Sequence, residues 1–206
     1  MLIPIHPENP NPRGIATTVE CLKDGGIIVY PTDTVYTLGC DIYQPKSVER
    51  IAHLKNINIK KQNFSFVCSS LSHLSDFSLP INRSTYKIVR RALPGPYTFI
   101  FKANSSVPNL FKSKKKTVGI RMPNHKIPIE LVNKLGNPIV SSSVHDDDII
   151  KEYSTDASLI YERLKNVVDI VIDGGMGKLT PSTVVDFSKG EMQIVREGLG
   201  PINNLL

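Results

Sequence analysis

The sequence predicts an α/β fold: a single domain built on a twisted, open, mixed sheet with helices on its faces. Segments with helical periodicity alternate with short, β-prone apolar segments, which is the pattern of a sheet flanked by helices. No linker, repeat or low-complexity stretch divides the 206 residues, a length that suits one domain. With 40% hydrophobic residues, the chain is able to bury a sizeable core.

Five segments carry the spacing of amphipathic helices, beginning with one whose apolar residues between 15 and 22 fall on one face. Asn82 is suited to cap the third helix, and Pro128 falls in the first turn of the fourth, where proline is tolerated. Thr155 or Ser154 would cap the fifth. The predicted helices span residues 14–24, 46–55, 82–93, 127–135 and 155–165.

Short runs rich in β-branched and aromatic residues predict the strands. Two of these runs follow one another without an intervening helix at several points of the chain, so the order is not strictly strand–helix–strand. This favours a mixed sheet over a purely parallel one. The predicted strands span residues 26–30, 64–68, 97–102, 117–122, 138–142, 167–172, 183–187 and 192–196.

The formal net charge is +6 and the isoelectric point about 9.2. This balance favours anionic partners such as nucleotide phosphates or RNA, although many basic proteins have no nucleic-acid role. There is no apolar run of about 18 residues and no basic leader followed by an apolar stretch. The sequence therefore predicts no membrane span and a cytoplasmic protein.

Three cysteines, Cys21, Cys40 and Cys68, lie in or beside apolar segments. Their odd number and the lack of a C-x-x-C spacing argue against a disulfide framework or a zinc site. We expect them to be small core residues of a reduced protein.

The stretch 25–39 contains the most informative pattern. An apolar strand ends at Pro31, which has no amide hydrogen to donate, and a hydroxyl-rich turn, Thr32-Asp33-Thr34, follows. Hydroxyls and free backbone N–H groups just past a strand are suited to bind a small polar ligand. The alternative is a turn that only caps the strand. Tyr36 is equally suited to line a site or to fill the core.

Two further polar groups follow apolar strands. Arg121 ends one of them, and a guanidinium at a strand end suits bidentate capture of a carboxylate or phosphate, or else a surface salt bridge. Ser141, Ser142 and Ser143 follow another, where hydroxyls suit phosphate contacts or a solvated turn.

Other motifs favour a structural interpretation. The acidic run 146–148 could approach Mg²⁺, and the lysine-rich run 112–116 could hold RNA backbone, but a solvated loop is the more common role of both. The segment 174–178 has a Gly-Lys pair but lacks the next hydroxyl residue and the earlier glycine of a phosphate-binding loop. The five histidines show no H-x-x-x-H spacing.

Four segments in the same order resemble the YrdC/TsaC family, the threonylcarbamoyl-AMP synthases. They are residues 25–39, 117–123 (TVGIRMP), 181–186 (PSTVVD) and 195–198 (VREG), and the resemblance extends from about residue 10 to 200. Residues 5–7, 63–68 and 93–100 are similar to the YciO-type branch. The resemblance implies an open α/β sheet curled around a deep, positively charged cavity.

It also implies an activity: L-threonine, bicarbonate and ATP, with Mg²⁺, give threonylcarbamoyl-AMP and pyrophosphate for the modification of tRNA adenosine 37. By this resemblance Thr34, Arg121 and Ser182 bind the threonine or carbamoyl part, at one end of the cavity. The nucleotide is bound at the other end. The residues that the resemblance gives to the nucleotide are Lys55, Lys61, Ser141, Ser143 and Arg196. No side chain is assigned as a nucleophile.

The chain departs from the synthases at two positions. Ile57 stands where they have the arginine of Lys-x-Arg, and Ser143 where they have the asparagine of Ser-x-Asn. Each change removes a fixed contact to ATP, although Lys60 and Lys61 are near enough in sequence to supply charge. The alternative functions are therefore a nucleotide- or RNA-binding protein without synthase activity, and related adenylate chemistry on another substrate.

Overall fold

The structure is a computed structural model that describes residues 1–59, 64–111, 116–144 and 155–206. It is a mixed α/β fold with a twisted ten-stranded sheet, as the sequence predicts. Its strands are β1 (Leu2–Pro4), β2 (Ile28–Tyr30), β3 (Thr37–Asp41), β4 (Ser65–Val67), β5 (Tyr97–Lys102), β6 (Thr117–Arg121), β7 (Ile139–Ser143), β8 (Ile170–Asp173), β9 (Thr183–Asp186) and β10 (Gln193–Arg196). The helices are α1 (Pro12–Lys23), α2 (Pro45–Leu54), α3 (Leu71–Phe77), α4 (Arg83–Ala92), α5 (Lys126–Leu135) and α6 (Ala157–Leu164).

The strand order is β1-β8-β2-β3-β7-β4-β6-β5-β9-β10. Parallel pairs join β8 to β1 and β2, β4 to β6, and β5 to β9, whereas the remaining neighbours are antiparallel. The sheet is thus mixed, with β1 and β10 at its edges.

The two faces of the sheet differ in what covers them. Because successive side chains of a strand point to opposite faces, alternate residues such as Phe66, Phe99 and Ile120 build the main core on one face, against α2 and α4. On the other face, α1 and α5 cover only the half of the sheet that carries Ile28 and Ile172. The remaining half of that face carries small and polar side chains, and it forms the floor of the cavity described below.

Three elements were not predicted from the sequence. β1 has only three residues, and β3 lies in the stretch interpreted as a turn, where Gly39 interrupts the apolar pattern. A glycine is required there, because a Cβ atom would lie 2.6 Å from the Tyr30 ring. The seven-residue α3 is too short for a periodic signal, although Ser70 caps it by accepting a hydrogen bond from His73 N.

The predicted caps had mixed outcomes. Asn82 caps α4 by accepting from Thr85 N at 2.8 Å, and Pro128 lies in the first turn of α5, as predicted. The prediction for α6 was wrong: its N-cap is Asp156, which accepts from the backbone N–H groups of Ser158 and Leu159, rather than Thr155. Ser154 lies outside the described residues.

All three cysteines are free thiols, and Cys40 and Cys68 are buried. Burial raises the pKa of both buried thiols, and it raises the pKa of Cys21 to about 11. These thiols are therefore protonated and unreactive near neutral pH. In the described part of the chain, no helix is long and apolar enough to cross a membrane.

Candidate functional site

A cavity of about 510 Å³ lies over the uncovered half of the sheet, within the usual size range of small-molecule sites. Small residues create it: Gly119, Ser65 and Ser141 lie side by side on β6, β4 and β7. Because their side chains are short, this row leaves a depression between taller neighbours. The floor thus follows from period-two alternation, with bulky residues on the core face and small ones on the cavity face.

Arg121 lies at the end of β6 and is almost fully buried. Its Nη2 atom donates to Thr34 Oγ1 at 2.9 Å and forms an ion pair with Asp33 Oδ1 at 3.3 Å. The Asp33 side chain is only 9% exposed, and its second oxygen accepts from Asn124 N at 3.1 Å. The guanidinium is thereby held in one orientation by a buried carboxylate that is itself fixed.

One donor of Arg121 is unused. Its Nε atom is buried and has no hydrogen-bond partner among the described residues. A buried donor without an acceptor is costly and rare in folded proteins. Since Arg121 lines the cavity, the simplest acceptor is an oxygen atom of a bound ligand.

The turn at residues 32–34 contacts Arg121 through Thr34 and Asp33. Thr32 Oγ1 donates to Val35 O at 2.7 Å and accepts from Thr34 N at 3.1 Å. Thr34 is fully buried, and its hydroxyl accepts a hydrogen bond from Arg121 Nη2 and is hydrogen-bonded to Thr32 Oγ1. The turn therefore caps the strand and also orients the arginine. The structure places the Thr34 hydroxyl against Arg121, and Val35 is the residue of this stretch among those that line the cavity. The role of Thr34 as a substrate ligand stays a prediction.

Ser182 lies across β5 from Arg121. Its hydroxyl is 2.8 Å from Thr98 Oγ1, and Thr98 pairs with Arg121 on the neighbouring strand. Gly198 packs against the backbone of Ser182, where a Cβ atom would come within 2.6 Å. The structure thus brings Arg121 and Ser182 together in one cavity, as expected from the sequence, and their roles there stay predictions.

Arg196, which the resemblance gives to the nucleotide, lines the cavity three strands away from Arg121. It lies on the exposed edge strand β10 in the same cross-strand row, paired with Val184, which pairs in turn with Thr98. Its Nη2 and Nε atoms donate to Ser182 O at 2.9 and 3.2 Å. Three strand spacings separate the Cα atoms of the two arginines by about 14 Å, and the assignment of Arg196 to the nucleotide stays a prediction.

Lys55 and Ile57 line the cavity on another side, at the end of α2. The helix ends in a Schellman motif: Ile57 N donates to Ala52 O at 2.9 Å and Asn56 N donates to His53 O at 3.0 Å. Asn56 takes the left-handed conformation that this motif requires, with φ at 51°. Ile57 then packs against the core, which is the apolar contact expected at its position. Ile57, which stands where the synthases have an arginine, therefore has a structural role.

Ser141, Ser142 and Ser143 all line the cavity. Ser143 lies four residues along β7 from Ile139, whose row contains Arg121. With about 13 Å along the strand and two strand spacings across it, the Cα atoms of Ser143 and Arg121 are about 16 Å apart, a length that suits a nucleotide. Lys60 and Lys61, the remaining predicted cations, lie outside the described residues.

Tyrosines near the site fill the core. The hydroxyl of Tyr36 donates to Gly175 O at 2.7 Å and accepts from Gly174 N at 3.3 Å, so this side chain holds the 174–178 segment rather than a ligand. Gly174 and Gly177 pack closely on Pro31 and Tyr36, which explains their lack of side chains. Tyr30 is buried, which raises its pKa to about 12 and keeps the phenol protonated.

The cavity is cationic. Lys55, Arg121 and Arg196 line it, and none of its described lining residues is acidic. Among the described residues, no group of three or more histidine, cysteine or acidic side chains is arranged to hold a metal. The acidic run 146–148 and residues 112–115 of the lysine-rich run lie outside the part of the chain that the structure describes. The charge of these lining residues favours an anionic ligand.

Sequence reasoning missed several lining residues: Thr98, Ser65 and Gly119, together with Asp33 as the partner of Arg121. The first three alternate with bulky residues in the runs Thr98-Phe99-Ile100, Ser65-Phe66-Val67 and Val118-Gly119-Ile120. This alternation of small or polar with large apolar residues was a signal in the sequence. It predicts a strand with one core face and one open face.

The comparisons with known proteins agree with this architecture. An uncharacterized protein of Haemophilus influenzae is 41% identical over 197 residues, which cover 95% of this chain and 94% of that protein. YciO of Escherichia coli is 37% identical over 204 residues, 98% of this chain and 97% of its own length. The crystal structure of that YciO matches with a TM-score of 0.92 and 35% identity over 100% of this chain and 99% of its own.

Threonylcarbamoyl-AMP synthases are more distant. The synthase of Coxiella burnetii is 28% identical over 87% of this chain and 96% of its own length. The crystal structure of P. abyssi Sua5 complexed with L-threonine has the same fold, with a TM-score of 0.89 at 24% identity, and this chain covers 61% of it. The family model that includes Sua5, YciO and YrdC, described as "Telomere recombination", matches residues 20–198. The chain belongs to the Sua5/YciO/YrdC family.

Proposed function

We propose that this protein catalyses adenylyl transfer to a carbamoylated amino acid, forming threonylcarbamoyl-AMP from L-threonine, bicarbonate and ATP for the modification of tRNA adenosine 37. The observation that carries the proposal is Arg121: a buried, fixed guanidinium with an unpartnered Nε at one end of a cationic cavity. Such a group is prepared to donate a charge-assisted hydrogen bond from Nε to a small carboxylate.

The reaction requires that the carbamate be positioned against the α-phosphorus of ATP and that the phosphate charge be neutralised. The amine of threonine and bicarbonate form a carbamate with loss of water. A carbamate oxygen then attacks the α-phosphorus of ATP, and pyrophosphate leaves with the electron pair of the broken P–O bond. Because carbamates decompose in water, a site that limits solvent access prolongs the life of this intermediate. No nucleophilic side chain is needed.

The described residues divide these tasks. Arg121 binds the carboxylate of threonine, with Thr34 and Asp33 as its positioning residues, and Ser182 contacts the same part of the substrate. Lys55 and Arg196 neutralise phosphate charge, while Ser141 and Ser143 donate hydrogen bonds to the nucleotide. Mg²⁺ enters with ATP as part of the substrate, consistent with the lack of acidic residues among the described lining residues.

A specific observation favours a second candidate. Ile57 completes the Schellman motif of α2 and packs on the core at the place where the synthases have an arginine. An apolar side chain beside a triphosphate contributes nothing to charge neutralisation. The second candidate is therefore a protein that binds a nucleotide or RNA in this cavity without synthase turnover.

Pyrophosphate release from ATP by the purified protein separates the two candidates. The first requires release that depends on both L-threonine and bicarbonate and that disappears in Arg121→Gln. The matched control is Arg13→Gln, which removes an exposed arginine of α1 and should leave the rate unchanged. ATP binding without release under any combination of substrates would contradict the first candidate and support the second.

A further inference from the structure

Tyr30, the last residue of β2, lies where the two halves of the cavity face of the sheet meet. It belongs to the core cluster beneath α1 and α5, and the uncovered half of that face is the floor of the cavity. The ring of Tyr30 lies over Gly39, where a Cβ atom would come within 2.6 Å of ring atom Cε1. Gly39 pairs with Ser141 on β7, and Ser141 lines the cavity. The ring therefore reaches across β3 towards Ser141.

The hydroxyl of Tyr30 has no hydrogen-bond partner among the described residues, although the side chain is fully buried. Two other tyrosines are buried in the described part of the chain, and both are bonded. Tyr36 Oη donates to Gly175 O at 2.7 Å. Tyr97 Oη donates to Pro201 O at 3.0 Å. Because buried phenols ordinarily find such a partner, the Tyr30 hydroxyl is an exception that requires an explanation.

Packing does not require this hydroxyl. The buried neighbours of Tyr30 in its core cluster are aliphatic, such as Ile28 and Ile139, and a phenylalanine ring would fill the same space. A buried donor without an acceptor destabilises the folded state. The hydroxyl therefore weakens the fold relative to a phenylalanine, which favours a role for it outside folding.

Two groups of the cavity act on the phenol. Burial raises the pKa of Tyr30 to about 12, and the Ser141 hydroxyl and the Arg121 guanidinium partly oppose this rise. The phenol is therefore protonated near neutral pH and able to donate a hydrogen bond. Arg121 has an unused buried donor of its own, Nε. Two buried donors without acceptors thus lie within electrostatic range of each other beside the cavity.

We infer that Tyr30 is a positioning residue of the cavity. Its hydroxyl donates to Ser141 Oγ when a ligand binds, and Ser141 then directs its own proton to an anionic oxygen of that ligand. A serine hydroxyl has one proton, and accepting from Tyr30 leaves that proton for the ligand. The two hydrogen bonds polarise each other, which strengthens the contact with an anion. The inference rests on the proposed function only in taking ATP and L-threonine as the ligands.

The test uses Tyr30→Phe, which removes the hydroxyl and keeps the ring. Its matched control is Tyr36→Phe, because the Tyr36 hydroxyl is buried and bonded within the protein, to Gly175 O and Gly174 N. Ser141→Ala and the double variant Tyr30→Phe/Ser141→Ala complete the set. Urea-induced unfolding measures stability, and isothermal titration calorimetry measures the affinity of each full-length protein for ATP and for L-threonine.

We expect opposite patterns in the two tyrosine variants. Tyr30→Phe should be at least as stable as the unmodified protein and should bind ATP about threefold to tenfold more weakly, the range of one hydrogen bond. Tyr36→Phe should be less stable and should keep both affinities. The effect of Tyr30→Phe should disappear when Ser141 is absent, so the double variant should bind as weakly as Ser141→Ala alone.

The two titrations distinguish the sources of the anionic oxygen. We place the loss in the ATP titration, because the proposed function assigns Ser141 to the nucleotide. A loss confined to L-threonine also supports the inference, and it assigns the Ser141 hydroxyl to the carboxylate instead.

Two results would overturn the inference and leave the proposed function untouched. The first is that Tyr30→Phe keeps the affinity of the unmodified protein for both ligands, which is also the outcome if a buried water satisfies the phenol permanently. The second is that the losses of Tyr30→Phe and Ser141→Ala add in the double variant, since the phenol then does not act through Ser141. If the unmodified protein binds neither ligand, the proposed function fails and the inference fails with it.

Discussion

Two arginines lie in one cross-strand row of the sheet, and their surroundings differ sharply. Arg121 is buried at the end of β6, paired with Asp33 and bonded to Thr34. Arg196 is exposed on the edge strand β10, where it donates to the carbonyl of Ser182. The first is buried within the fold, whereas the second donates hydrogen bonds to Ser182 from an exposed edge strand.

The proposed function assigns the two arginines to two kinds of anion, a carboxylate and a phosphate. A buried guanidinium in a fixed orientation discriminates by geometry, since a ligand must present its oxygens where Nε points. An exposed guanidinium supplies charge with less geometric demand, which suits flexible phosphates. We therefore expect substitutions at Arg121 to affect stability and specificity, and substitutions at Arg196 to affect affinity alone.

The largest effect should follow Arg121→Ala. This change leaves the Asp33 carboxylate buried without its charged partner, so the free energy of unfolding should fall by about 3–5 kcal/mol. Urea-induced unfolding followed by circular dichroism measures it. The double variant Asp33→Asn/Arg121→Gln, which removes both charges, should recover part of the loss. A loss below about 1 kcal/mol for Arg121→Ala would show that the pair is effectively solvated.

A smaller effect is expected at the other two cations of the cavity, Arg196 and Lys55. Arg196→Ala and Lys55→Ala should each weaken ATP binding by about 1–3 kcal/mol, the range for charge-assisted contacts, with little change in the unfolding curve. Isothermal titration calorimetry measures the affinity. Unchanged ATP affinity in both variants would remove these side chains from the nucleotide site.

The two departures from the synthase pattern give the next prediction. Ile57→Arg together with Ser143→Asn should raise threonine-dependent pyrophosphate release, since the arginine adds a bidentate phosphate contact and the asparagine an amide. A tenfold gain corresponds to about 1.4 kcal/mol of transition-state stabilisation. The two changes serve one nucleotide and need not act independently.

The control for the double variant is Ile57→Leu, which keeps the apolar contact at the end of α2 and should leave turnover unchanged. If the protein as it stands already turns over as fast as the double variant, the departures are not limiting. If the double variant shows no release, the binding-protein candidate gains support.

The smallest effect concerns His125, the N-cap of α5, whose Nδ1 accepts from Ile127 N at 3.3 Å. Burial lowers the pKa of this imidazole, and the nearby carboxylates of Asp33 and Glu8 only partly oppose that shift. The histidine pKa of the unfolded chain is about 6.5. As the pH falls, the unfolded chain therefore binds a proton at this residue before the folded chain does.

The stabilising contribution is then fully present above about pH 6.5 and is lost as the pH falls towards the lower, folded-state pKa. His125→Asn keeps a capping oxygen but cannot take up the proton, so its unfolding free energy should change less between neutral and mildly acidic pH. Urea unfolding at several pH values tests this. Parallel pH profiles for the two proteins would contradict it.

The sequence predicted the mixed sheet, five of the six helices and the convergence of Arg121 and Ser182, because each rests on local signals: periodicity, caps and polar residues at strand ends. It could not predict that Thr34 accepts a hydrogen bond from Arg121 or that Arg196 lies in the same cross-strand row as Arg121. Both depend on strand order and register, which bring Arg121 to Thr34, 87 positions away, and Arg196 to Ser182, 14 positions away. The Schellman role of Ile57 was visible only once the end of α2 was known.

The most direct test of the account is a paired calorimetric titration of L-threonine and of ATP into the protein and into Arg121→Gln and Arg196→Gln. Arg121→Gln should abolish threonine binding and keep most of the ATP affinity. Arg196→Gln should weaken ATP binding and leave threonine binding intact. Threonine binding that survives Arg121→Gln, or equal losses of both ligands in both variants, would contradict the division of the cavity between a buried and an exposed arginine.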